Sequence, residues 1–304
     1  MSAATTYAGV REAPGTLRVV CALAATEVRR VPRNLFLPLG LAFALWLLLG
    51  EIDPATEDWA GSSYEGMAVS SVSLMWGISV AAAIAFQRER VPVALGAAVP
   101  EVVRALARLL AMLPLLGLVG GFAALVAWRQ RDLGGLTVGE EPGRTLEALQ
   151  TTPELLQHVA LAVLAVALGA ALGRRMAHLA AVIPLLFLLW YLAGAFYWLY
   201  GHPAVTPFSV IQVQPVLVPI GPADADPLAF PDHWLLAAPN EYQDGWSRRF
   251  VSTSLAWWHN GWLLGLAQLL LAAALPSGTL RRCLLVGGVL LAVVSAVAEV
   301  RVIP

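Results

Sequence analysis

Apolar residues are gathered into seven runs of sixteen to twenty-two, and this gathering limits the possible fold more than any other feature of the chain. The runs cover residues 35–50, 67–86, 109–128, 155–173, 179–200, 254–275 and 283–298. A helix of about twenty residues crosses the roughly 30 Å hydrocarbon layer at 1.5 Å per residue. With 59% hydrophobic and 13% charged residues, the composition lies well away from the roughly half and quarter typical of soluble domains. The expected fold is all-α: a polytopic transmembrane bundle of about seven spans, with an N-terminal amphipathic interfacial helix and a small extracytoplasmic cap. A re-entrant hairpin of the last two runs would change the span count. The first thirty residues have no apolar core followed by a small-residue cleavage site, so no signal peptide is expected.

The charged residues orient this arrangement. All 19 basic residues are arginine, and arginine is retained on the cytoplasmic side of a membrane. With the N-terminus inside, thirteen arginines and four acidic residues fall on the inner side, and six arginines and sixteen acidic residues fall outside. The formal net charge of -1 therefore conceals an inner face near +9 and an outer face near -10. The expected location is the cytoplasmic membrane, multi-pass, with the N-terminus in the cytoplasm.

Four regions follow from this plan: residues 1–34, a cytoplasmic N-terminus; 35–200, spans one to five with a cytoplasmic loop at 87–108; 201–253, an extracytoplasmic segment; and 254–304, the last two spans. Within the first, residues 16–33 place Leu17, Val20, Leu23, Ala24, Val28 and Val31 opposite Arg18, Glu27, Arg29 and Arg30 at helical spacing. They read either as an amphipathic helix in the headgroup layer or as an extension of the first span. In the loop, Pro100 and Glu101 suit a helix N-terminus, and Arg104 and Arg108 continue one face. This predicts a short charged cytoplasmic helix or an extension of the third span. The acidic stretch at 53–66 and the Gly- and Thr-bearing stretch at 129–154 read as external loops. Residues 201–253 read as a cap containing an extended segment at 208–220.

Several chemistries are excluded or disfavoured. Without lysine there can be no P-loop, no Schiff-base lysine and no Ser-x-x-Lys nucleophile. The near-balanced charge argues against a nucleic-acid partner. Cys21 and Cys283 match no metal or redox spacing, and His158, His178, His202, His233 and His259 show no ligand spacing within one helix. The span cores are expected to lack Asp, Glu and Arg, with Glu299 just beyond the last span, which disfavours a proton- or sodium-coupled transporter. Small residues are present instead. Gly117, Gly121, Gly169 and Gly173 suit helix packing or a dimer interface, and Ser70, Ser73 and Gly77 suit packing or a weakly polar pathway. Trp190, Tyr191, Tyr197, Trp198, Tyr200, Trp257 and Trp258 read as an aromatic belt at the outer ends.

Three stretches together resemble the membrane subunit of ABC-2-type transporters, in particular permeases of high-GC bacteria. They are Ala25-Thr26-Glu27-Val28-Arg29-Arg30 with Pro32-Arg33-Asn34, the segment at 58–66, and Ala256-Trp257-Trp258-His259-Asn260 followed by residues 261–266. The resemblance extends over most of the chain and rests on the order of these short motifs along a matching hydropathy plan. It implies a permease that exports an amphipathic or hydrophobic substrate, paired with a second permease subunit and driven by a separate ATPase subunit. On this resemblance the chain is not itself an enzyme and carries no cofactor, since ATP and magnesium belong to the partner. The ATPase would be met by Arg88, Glu89, Arg90, Glu101, Arg104 and Arg108, assisted by Arg174 and Arg175. Membrane lipid is the remaining partner, through the interfacial helix. The competing expectation is a non-transporting anchor or sensor whose external segment binds a ligand or protein.

Overall fold

The computed structural model describes residues 16–57, 61–88, 99–141, 144–239 and 243–304, and the protein is mostly helical, at 70%. Helix α1 (Thr16–Val28) leads into a 3-10 turn at Val31–Arg33. Pro32 lacks the N–H that would continue the helix, and the chain bends by 58° into α2 (Phe36–Trp46), which ends in a π turn at Leu47–Glu51. Helices α3 (Ser62–Val69) and α4 (Val72–Gln87) are separated only by Ser70 and Ser71. Helices α5 (Glu101–Ala111) and α6 (Leu113–Asp132) are separated only by Met112, with Pro114 in the first turn of α6, where its missing N–H costs nothing. Four long helices follow: α7 (Thr152–Arg175), α8 (Leu179–Ala195), α9 (Thr253–Ala274) and α10 (Thr279–Val302).

Among the described residues, four segments are long and apolar enough to cross a membrane: Ser62–Gln87, Glu101–Asp132, Thr152–Arg175 and Thr279–Val302; the bent pair Thr16–Arg33 and Phe36–Glu51 makes a fifth if counted as one span. The remaining two apolar runs are shorter or more polar. Helix α8 has 17 residues, and α9 carries His259 and Asn260 among its tryptophans.

Helix α7 is central, packing on α4, α9 and α6, while α4 also meets α2 and α8, α9 meets α10, and α1 lies on α5. Lipid offers no hydrophobic driving force between helices, so close packing and hydrogen bonds must hold them. Both are present here. A Cβ at Gly169 would lie 2.0 Å from the Ser79 carbonyl oxygen, and one at Gly173 would lie 2.3 Å from that of Ala83. The glycine hydrogens therefore point at α4 carbonyls, the geometry of the Cα–H···O contacts found between helices. From α8, the Trp190 indole N–H donates to Ser79 Oγ at 2.9 Å in the buried interior.

Short strands form the cap. Strands β1 (Leu136–Glu141) and β2 (Arg144–Ala148) make an antiparallel hairpin with an irregularity between Thr137 and Gly139. Strands β3 (Val216–Pro222), β4 (Leu236–Ala237) and β5 (Gly245–Phe250) form a second antiparallel sheet in the order β3-β5-β4. Strand β1 touches both α3 and β4. Arg249 of β5 donates to the Val138 carbonyl at 2.7 Å. Its guanidinium fills the place a Cβ would take at Gly61, which has a φ of 92°.

The structure corrects several sequence expectations. The cap is a β unit, so the chain is not purely helical. The stretch at 129–154 is the end of α6 followed by a hairpin. Of the two alternatives for the charged helix, the extension holds, since Glu101–Ala111 runs almost directly into α6. The helices also outrun the apolar runs, so Glu65, Glu154 and Glu299, each just outside its run, are helical residues of the longer segments. These three sit near the cap ends of their helices.

Candidate functional site

At the end opposite the cap, the arginines form ion pairs within the chain. Glu27 of α1 lies 3.1 Å from Arg30 and 2.5 Å from Arg88 at the end of α4, with one carboxylate oxygen facing each guanidinium. Glu101, opening α5, lies 2.5 Å from Arg174 at the end of α7. Arg104 donates to the Val99 carbonyl, Arg175 donates to the Ala273 carbonyl of α9 at 3.1 Å, and Gln87 donates to the Ala177 carbonyl at 2.9 Å. Arg108 is buried, whereas Arg18 and Arg29 are exposed. Glu89 and Arg90 lie outside the described residues. Half-exposed ion pairs add little stability, about 0–1 kcal/mol each. Their effect is to orient α1 against α4, and α5 against α7.

The small residues divide into two groups. Gly169 and Gly173 are filled by α4, and a Cβ at Gly77 would lie 2.6 Å from the Phe36 carbonyl oxygen. Ser73 donates to the Gly40 carbonyl at 3.0 Å, and Ser70 to that of Met67 at 2.9 Å. Gly117 and Gly121 differ, since none of the described residues would lie within 4 Å of a Cβ at either. They belong to an open face of α6.

Near the cap, a carboxylate and two amides join three elements. Thr151 and Glu154 form a capping box at the start of α7, in which each residue satisfies a polar group of the other. The Tyr64 hydroxyl donates to Glu154 at 2.9 Å. Gln150 donates to the Tyr64 carbonyl at 3.1 Å and exchanges two 2.9 Å hydrogen bonds with Gln130. The ends of α3, α6 and α7 are thereby clamped together. One turn along α7, His158 Nδ1 lies 2.8 Å from Ser71 Oγ, at the break between α3 and α4.

A cavity of about 230 Å³ opens beside this clamp, lined by Glu51, Asp53, Glu57, Ser63 and Ser70 on its polar side and by Leu47, Ile52, Val69 and Tyr197 on its apolar side. Burial pushes the Glu57 carboxyl above its usual range, against the opposing pull of the Gly61 N–H and the charge of Arg249.

Sequence reasoning missed the pair formed by His259 and Glu299, which lie 3.2 Å apart with no exposed side-chain surface. The available signal was the apolar pattern, which continues past Glu299 through Val300, Val302 and Ile303. Trp190 was also misplaced by that reasoning. It is a buried hydrogen-bonding residue, whereas Tyr191, Trp198, Trp257 and Trp258 are exposed as belt residues should be.

No protein-family model, curated protein or solved structure matches this chain.

Proposed function

We propose that this chain is the membrane-spanning subunit of an ATP-driven exporter of the ABC-2 type, with seven spans, in the cytoplasmic membrane, and with its N-terminus and arginine-rich end in the cytoplasm. The observation carrying this reading is the bent pair α1–α2. A helix turned 58° from the first span lies on α5, and its Glu27 bridges to Arg88. An ATPase pressing on residues 88–111 would therefore move α1 and α4 together, because the ion pairs tie them. In this reading ATP and magnesium are bound by the partner, and two permease subunits pair in the membrane. The uncharged midplane favours an amphipathic or hydrophobic cargo, since a strongly charged one would need countercharge along its path.

A second reading, an anchor or sensor that binds a ligand outside the membrane, draws support from the cap. There Phe230 stacks with Trp234 at 6.3 Å and tilts against Trp246 at 6.4 Å, and Arg248 lies 5.1 Å above Trp234. Purification of the native full-length protein in mild detergent separates the two readings. The exporter requires an ATPase with a P-loop to co-purify, and its reproducible absence overturns that reading.

A further inference from the structure

The buried pair His259 and Glu299 has no part in the exporter reading and stands independently of it. Glu299 Oε2 faces His259 Nδ1 at 3.2 Å and Gln212 Nε2 at 3.5 Å. Gln212 also points its amide at the Leu255 carbonyl at 3.5 Å, and its backbone carbonyl accepts from Gln157 of α7 at 3.1 Å. Gln214 donates to Gln212 at 3.2 Å and to the Ser252 carbonyl at 3.4 Å, and it accepts from the Ser252 N–H at 2.7 Å. Two glutamines thus sew residues 209–215 to α7 and to the start of α9, and Glu299 terminates that chain of hydrogen bonds.

An isolated charge in such a site is costly. The groups facing the pair are few. Helix α7 presents the uncharged Gln157, while its titratable neighbours Glu154 and His158 are engaged with Tyr64 and Ser71. The segment at 209–215 presents Gln212 and Gln214. Helix α9 contributes His259, with Trp262 beside it at 5.5 Å. Helix α10 contributes Glu299 and the buried Ser295, with Arg301 exposed further along. With one proton shared between them, the two groups compensate each other. Imidazolium with carboxylate and imidazole with carboxylic acid are both neutral overall. A second proton, taken from solvent, leaves imidazolium beside carboxylic acid, and this uncompensated positive charge is relieved by admitting water. His259 Nε2 and Glu299 Oε1 are buried with no hydrogen-bond partner among the described residues, so each has an unsatisfied position that entering water would fill.

We propose that His259 and Glu299 form a proton-binding site that latches residues 209–215 onto α9 and α10, and that acid on the cap side releases the latch.

The test is amide hydrogen exchange of the full-length protein in lipid nanodiscs between about pH 8 and about pH 5, where a histidine environment changes charge. Rates are corrected for their intrinsic pH dependence. One proton taken up per opening allows at most about a tenfold loss of protection per pH unit. Peptides covering 209–215 should lose about tenfold protection, those from the α4–α7 contact should not change, and H259Q should abolish the response. Equal corrected protection at both pH values, or an undiminished response in H259Q, overturns the proposal. Should H259Q fail to fold, imidazole nitrogen shifts in wild-type protein decide the matter. The His259 signal must titrate with the same midpoint as the loosening, and a different midpoint or no titration overturns the latch.

Discussion

Replacing Gly169 with alanine adds one methyl carbon, placed 2.0 Å from the Ser79 carbonyl oxygen, 2.8 Å from its carbonyl carbon and 3.0 Å from the Ala82 methyl. The first two are backbone atoms, so no side chain can swing aside. Favourable contact between heavy atoms begins near ~3.5 Å, so α4 and α7 must part by about 1.5 Å at this point. Overpacking of this kind costs about 1–3 kcal/mol. The same substitution at Gly117 meets none of the described residues within 4 Å. Both changes gain the same helix propensity, about 1 kcal/mol, so the difference between the two variants isolates the collision. At roughly 2 °C per kcal/mol for a large chain, G169A should melt about 2–6 °C below G117A. Thermal unfolding of both proteins in the same detergent and at the same scan rate measures the gap, the shared rate being needed because large proteins often unfold irreversibly. A gap of zero, or one of opposite sign, would refute the close contact between α4 and α7.

Two further outcomes test the ends of the bundle. E101R brings two arginines together where Arg174 now meets Glu101, and adding R174E should recover more than half of the lost melting temperature; the partly exposed pair limits the whole effect to about 1 kcal/mol, and a double variant no better than E101R counts against the pairing. Near the cap, burial holds the Glu57 carboxyl above its ordinary value of 4.5, so the folded form binds that proton more tightly than the unfolded form. The contribution is fully present below that ordinary value and is lost as pH rises through the raised one. The melting temperature of E57Q relative to wild type should therefore climb from about pH 4 to about pH 7, and a constant difference would contradict the burial of this carboxyl.

Much of the architecture was legible because lipid imposes a simple rule on sequence. A run such as 155–173 has no stable alternative to helix in hydrocarbon, and α7 falls where that run lies. The ends were harder to read, because a helix continues wherever its terminal groups are satisfied, whatever the hydropathy. Thr151 and Glu154 cap α7 upstream of its apolar run, and α10 carries Glu299 because His259 and Gln212 receive it. Gly117 and Gly169 look alike in sequence, each four residues before a second glycine. Only the fold distinguishes them, since α4 lies against one and none of the described residues lies against the other. The cap was legible only as an extended segment near residues 208–220. Its strand order depends on β5 pairing with both β3 and β4, a long-range choice with no local signature.

The contact of α7 with α4 has a mechanical corollary. Two helices touching backbone to backbone at Gly169 and Gly173, with Trp190 fastening α8 to the same Ser79, leave no clearance for sliding past each other, so α4, α7 and α8 hold together as one unit. Displacement must then be accommodated where the structure has slack. Helix α6 presents an unfilled glycine face and joins α5 at Met112, a single-residue pivot. In the exporter reading, motion of α5 is therefore taken up at the Met112 junction, while the far end of α6 stays held to α7 through Gln130 and Gln150.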